Sequence, residues 1–199
     1  MSYDIETLTA DCYEGTTCLI NKFNIRDEKS LAKVEGDITF AKAVELENDP
    51  IKGNFDTAHY KKIHRFLFED LYDWAGKFRR INISKKGTQF TDCDKLETLC
   101  DKLFQRLKSL NYLSGLPFSE FVSEIVDVYC SLNMLHPFRE GNGRTQRVFI
   151  AQLIKYNGYS INFSEIDKDL LMIATIQSSQ GVTDNLKILF TKAIHDADH

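Results

Sequence analysis

Proline and glycine are scarce, 3 and 10 of 199 residues. That leaves little material for linkers and none for a collagen-like repeat. Long apolar runs are absent. No stretch of about 18 apolar residues occurs, which excludes a membrane-spanning helix. The first residues, MSYDIETLTADCYEG, are acidic and lack an apolar segment of signal-peptide type. An excess of basic charge is also missing. Lys and Arg number 25 against 29 Asp and Glu, for a formal net charge of −4. A domain built to bind nucleic acid is usually basic, so this balance argues against one. The five cysteines, Cys12, Cys18, Cys93, Cys100 and Cys130, are odd in number and contain no CxxC pair. Neither a disulfide framework nor a zinc ribbon fits, and reduced thiols in a cytoplasmic protein are expected.

Aromatics are plentiful, with 14 Phe and 8 Tyr, and hydrophobic residues make up 43%. One globular domain with a sizeable core follows. Its apolar periodicity is mostly helical. Phe118, Val122, Ile125, Tyr129 and Leu132 recur at threes and fours, with Ser119 as expected cap and Phe118 as staple. Ile63, Phe66, Leu67, Leu71 and Trp74 predict a helix over 59–74, stopped by Gly76. Further helices are expected over 26–47, from Asp94 to Leu110, from Gly143 to Gly158, over 164–178 and over 183–197. The stretch FRRINISKKGTQFT, 78–91, breaks the pattern with a Lys-Lys-Gly turn between β-branched and aromatic residues. It predicts a short β-hairpin, which could offer a strand edge to a peptide. The expected fold class is therefore all-α, a compact helical bundle with one hairpin flap.

The chemistry is concentrated in residues 136–147, His-Pro-Phe-Arg-Glu-Gly-Asn-Gly-Arg-Thr-Gln-Arg. Pro137 ends one helix. Gly141 and Gly143 flank Asn142 where the next begins, and the free N–H groups of that helix start form an anion site. Arg144 and Arg147, three apart, share a helical face and present two guanidinium forks to phosphates. Glu140 is a hard oxygen ligand for a magnesium ion, and His136 is a base near neutral pH. Phosphoryl or nucleotidyl transfer needs this combination of a base, charge neutralisation and positioning.

The segment resembles the signature of the Fic-domain family, H-x-F-x-[DE]-G-N-G-R-x-x-R, at every fixed position. A second block, Gly53-Asn54-Phe55-Asp56, Ile63-His64, Leu67-Phe68 and Asp70-Leu71-Tyr72-Asp73-Trp74-Ala75-Gly76-Lys77, is similar to the same family. The resemblance spans roughly residues 20–195, and implies one Fic-like domain over 1–199, with its flap at about 79–91 and signature loop at 136–147. It also implies an ATP- and Mg²⁺-dependent adenylyltransferase that moves AMP onto a Ser, Thr or Tyr hydroxyl of a target protein, itself included, and releases pyrophosphate. By position, His136 would be the base and Glu140 the magnesium ligand. Gly141, Asn142 and Gly143 would cradle phosphates, Arg144 would reach the β phosphate and Arg147 the γ phosphate. Phe138 would anchor the loop by packing. Lys85, Lys86, Gly87, Thr88, Gln89 and Phe90 would dock the target backbone. Gly143 departs from the kinase-like branch, which carries Lys there. Phosphocholine transfer, and a nucleotide- or partner-binding module with weak catalysis, remain open alternatives.

Many relatives carry an inhibitory helix, [ST]-x-x-x-E-[GN], whose Glu pairs with the second signature arginine. Here Glu35-Gly36 has the ending, but Leu31 stands where Ser or Thr belongs. Glu35 is thus a candidate inhibitory residue, competing with a reading in which it lies on the surface of an ordinary helix. A separate small antitoxin-like partner could supply the glutamate instead. His64, between apolar neighbours, reads as a satisfied helical histidine. His195 and His199 read as parts of a frayed tail. No membrane or nucleic-acid partner is expected, and the sequence leaves oligomeric state open.

Overall fold

Helix α1, Glu28–Asn48, starts where the Asp27 carboxylate accepts the Ser30 N–H at 2.8 Å. Its buried residues are Leu31, Glu35, Thr39 and Leu46, a stripe at helical spacing that carries two polar members. The computed structural model describes residues 11–85 and 87–197. Within them α1 is followed by α2, Thr57–Phe68; α3, Leu96–Ser109; α4, Phe118–Leu135; α5, Asn142–Tyr156; α6, Lys168–Ser178; and α7, Asp184–Ala193. Four short strands, β1 Ser84–Lys85, β2 Thr88–Gln89, β3 Tyr159–Ile161 and β4 Ile194–Asp196, form two antiparallel pairs. No helix among the described residues is long and apolar enough to cross a membrane. All five cysteines are free thiols, and Cys18 and Cys100 are buried.

The helix that begins in the signature, α5, packs against α1, α2 and α4. Phe149 on it is fully buried and meets Tyr60 edge-on at 5.3 Å and Phe104 at 5.3 Å. On its other side Gln146 Nε2 donates to Tyr129 O of α4 at 2.6 Å. The helix is therefore packed on several sides, by polar residues in its first turns and by Phe149, Ile150, Leu153 and Ile154 beyond them.

Three expectations are corrected. α2 ends at Phe68 instead of Trp74, because the N–H groups of Leu71 and Tyr72 both turn back onto Phe68 O. That turn buries Leu71 and Tyr72 and lets Gly76 N–H reach His64 Nδ1. α4 starts at Phe118 with no side-chain cap, so Ser119 lies inside the helix. The tail is no frayed helix. His195 lies in β4 opposite Ser160, and Ala197 N–H donates to Gly158 O at 3.0 Å. His199 lies outside the described residues. The all-α architecture is otherwise as expected, with this second strand pair added to the flap.

Candidate active site

The site is built at the junction of α4 and α5. His136 caps α4 in the left-handed region, φ 43° and ψ 55°, and its N–H donates to Leu132 O at 3.0 Å. The residue is 8% exposed. Its Nδ1 lies 3.2 Å from Asn133 O. A carbonyl can only accept, so Nδ1 carries the proton and the lone pair sits on Nε2. Burial, with Lys85 and Arg79 nearby, pushes the imidazole down to about 3. His136 is thus a neutral base at physiological pH.

From His136 the loop runs over Phe138, which is fully buried, stacks on His64 at 3.7 Å and meets Phe78 edge-on. Asn142 closes the loop. Its Oδ1 accepts the Phe138 N–H and its Nδ2 donates to Phe138 O, both at 2.8 Å. The Asn142 amide therefore shapes the loop, where a phosphate contact was expected of it. Gly141 is the N-cap of α5 at φ 80°, and no side chain caps this helix end. A Cβ on Gly141 would sit 2.1 Å from the Phe68 ring, so only glycine fits. Gly143 lies in the first turn, with Arg147 Nη1 3.3 Å from where its Cβ would be.

Glu140 holds the Gly141 N–H at 2.8 Å and Arg144 Nη2 at 3.4 Å, both through Oε1. Arg144 lies over the Phe68 ring at 4.8 Å. Its Nη2 also pairs with Glu35, and its Nη1 donates to Thr39 Oγ1 at 3.1 Å. Arg147 has no carboxylate partner among the described residues, and burial pulls its guanidinium down from its ordinary value. A half-buried cation without a counter-charge at an uncapped helix start is a site for an anion.

Glu35 is placed differently from both readings of it. It is 8% exposed, so the surface reading is wrong, and its partner is the first signature arginine instead of the second. The flap pairs Ser84 with Gln89 and Lys85 with Thr88, and Gly87 makes the turn at φ 76°. Lys86 lies outside the described residues. Gln89 is exposed, while Phe90 falls just past the strand, is 8% exposed and stacks on His136 at 3.9 Å. Its ring covers the base instead of facing outward with the flap.

Sequence reasoning missed Arg79 and Tyr72 as supports, while its reading of His64 as a satisfied helical histidine holds. Arg79, 5% exposed, donates to the carbonyls of His136 at 2.9 Å, Ile81 at 2.7 Å, Leu135 at 3.3 Å and Thr91. It fixes the foot of the flap to the end of α4. His64 accepts the Gly76 N–H on Nδ1 at 2.8 Å and donates from Nε2 to Glu140 O at 3.0 Å, so it ties α2 to the signature loop. Tyr72 donates its hydroxyl to Glu35. The signal that Glu35 and Thr39 act together was their i, i+4 spacing on the Leu31 face of α1.

Residues 54–154 match the model of the Fic/DOC family. The chain belongs to that family. It is 32% identical to the probable protein adenylyltransferase Fic of Escherichia coli over 93% of this chain and 92% of that protein. It is 37% identical to the protein adenylyltransferase VbhT of Bartonella schoenbuchensis over 89% of this chain, and spans 37% of VbhT's length. Among solved structures, the BepC effector of Bartonella tribocorum with bound AMPPNP superposes with a TM-score of 0.88 at 31% identity, covering 94% of this chain and 97% of that one. The N-terminal Fic domain of a Bartonella quintana effector with bound ADP gives 0.89 at 31% identity, covering 94% and 95%.

Proposed function

We propose that this Fic-family chain is a protein adenylyltransferase, moving AMP from ATP to a Ser, Thr or Tyr hydroxyl. The observation that carries the reading is the tautomer of His136, a buried neutral imidazole with its lone pair on Nε2, six residues before an uncapped helix start that holds Arg147 without a counter-charge. Similarity to named adenylyltransferases, and to family members with AMPPNP or ADP bound, supports ATP as the substrate.

In this reading His136 Nε2 takes the hydroxyl proton as the oxygen attacks the α phosphorus. The new P–O bond forms, the bond to the β-phosphate oxygen breaks, and the electron pair leaves on pyrophosphate. Arg144, Arg147 and the N–H groups of Gly143 and its neighbours in the first turn of α5 stabilise the charge on the leaving group. Glu140 fits a magnesium ion in the mode of one protein carboxylate plus substrate phosphates, since both of its described contacts use Oε1. When bound, the ion would neutralise phosphate charge. Lys85, Gly87, Thr88 and Gln89 form the edge along which target backbone docks. The partners are then a protein with an accessible hydroxyl in the cytoplasm and, as a separate brake, a small antitoxin-like protein with a glutamate for Arg147.

Incubation of a lysate with ATP labelled at the α or the γ phosphate tests the reading. Label on protein from the α position alone is expected, and His136→Ala should lower it at least a thousandfold. Transfer from the γ position, or an unaffected His136→Ala, overturns it.

A further inference from the structure

Arg144 is held on every side by groups outside the signature loop or at its edge. Its Nη2 donates to one oxygen of Glu35, and the hydroxyl of Tyr72 donates to the other. Its Nη1 donates to Thr39, whose own hydroxyl hydrogen goes to Glu35 O at 2.7 Å. Phe68 lies under the guanidinium and Trp74 stacks on Tyr72 at 4.3 Å. Glu35 and Thr39 belong to α1, which precedes the segment matched to the family. An arginine left free would have to lose its rotamer freedom on forming any complex. This one is ordered before a ligand arrives.

The pairing does not have the build of a removable lid. Glu35 is two turns into a 21-residue helix packed on α2 and α5, and is 8% exposed. Tyr72, which grips it from behind, is 1% exposed. Releasing Arg144 from Glu35 would leave a buried carboxylate with only a phenol for company, and that is costly. Arg147, by contrast, has no carboxylate partner among the described residues.

We propose that Glu35 and Tyr72 are positioning residues, which aim Arg144 at the leaving pyrophosphate and hold it beside Glu140; the Glu35–Arg144 pair is part of the working site and not a brake on it. This rests on the adenylyl-transfer reading. The two signature arginines then differ in role. Arg144 is a preset donor in the wall, and Arg147 is the one open to an outside partner.

Glu35→Gln and Tyr72→Phe test this in the wild-type and Arg144→Lys backgrounds, with α-labelled ATP and with calorimetric ADP affinity. Tyr72→Phe is the milder change and keeps every charge. Each single variant is expected to lower kcat roughly tenfold. KM for ATP should not rise in Glu35→Gln, because a negative charge beside the polyphosphate has been removed. Both losses should largely disappear in Arg144→Lys, since the two residues act through the guanidinium fork. A rise in kcat makes Glu35 a brake, an unchanged kcat removes its role, and losses that multiply in Arg144→Lys mean general destabilisation; each overturns the proposal. If the wild type transfers no AMP, the transfer reading fails by itself. The ADP cycle still decides the positioning: a Glu35 effect on affinity that vanishes in Arg144→Lys upholds it, and one that persists, or no effect, overturns it.

Discussion

Two buried histidines bracket the signature loop in opposite tautomers. His136 has its proton on Nδ1, facing Asn133 O, and His64 has its proton on Nε2, facing Glu140 O. Each assignment follows from a carbonyl that can only accept. One tautomer puts the lone pair on Nε2, while the other uses both ring nitrogens for structure. Burial is the largest cause of the depressed basicity of both, each pushed down to about 3. Nitrogen-15 NMR of the imidazoles should therefore show two neutral rings of opposite tautomer, with no titration between pH 5 and pH 8. A midpoint near 6.5 for His136 would contradict its environment. At this scale the sequence was informative about His136, because the fixed neighbours of the signature give it a role. It offered Glu35 only as a partner for the second arginine, and it was silent about Arg79. Their partners lie 109 and 57 residues away in the chain, and no local spacing announces such pairs.

The element that sets the geometry of the site is the foot of the flap, more than its two-residue strands. Strands that short contribute little on their own. What anchors them is Arg79, together with the Thr91 N–H and hydroxyl on Met134 O. Arg79 faces four carbonyls, and its planar fork of N–H donors suits that spread of acceptors. Arg79→Ala would strand several buried carbonyls and should cost about 3 kcal/mol in chemical denaturation. Arg79→Lys, which keeps the charge but loses the fork, should restore less than half of that. Full recovery in the lysine variant would show that charge alone suffices. The helices were legible because each has an apolar face, as in α4, where the i, i+3, i+4 pattern runs almost the full length. Their ends were less so. α2 stops at Phe68 although apolar residues continue at the right spacing, because tertiary contacts of Tyr72 and Gly76 outweigh the periodicity. β3 and β4 left no signal at all: Tyr-Ser-Ile and Ile-His-Asp are too short to show an alternation.

For the molecule as a whole, the acidic surface and the basic site are separate matters, and the titration of the interior decides its response to pH. His59, His64 and His136 are all buried, and burial lowers all three. In the unfolded chain they take up protons below about 6.5. In the folded chain His64 and His136 do not until about 3. Between those values the unfolded state binds more protons, so stability falls as pH falls. Each of the two deeply shifted rings contributes a slope of up to about 1.4 kcal/mol per pH unit. The melting temperature should be flat from pH 8 to pH 7 and decline below 6.5, and His64→Gln should make the decline shallower. An equal decline in that variant would move the cause to the carboxylates. The β3–β4 pair carries a different consequence. Strand β4 lies 47 residues beyond Arg147, yet it pairs with β3, the strand that packs on the helix that Arg147 rides on. During synthesis, every signature side chain emerges from the ribosome well before the strand that pairs with β3, so the chemistry is complete in sequence long before its scaffold is complete in space.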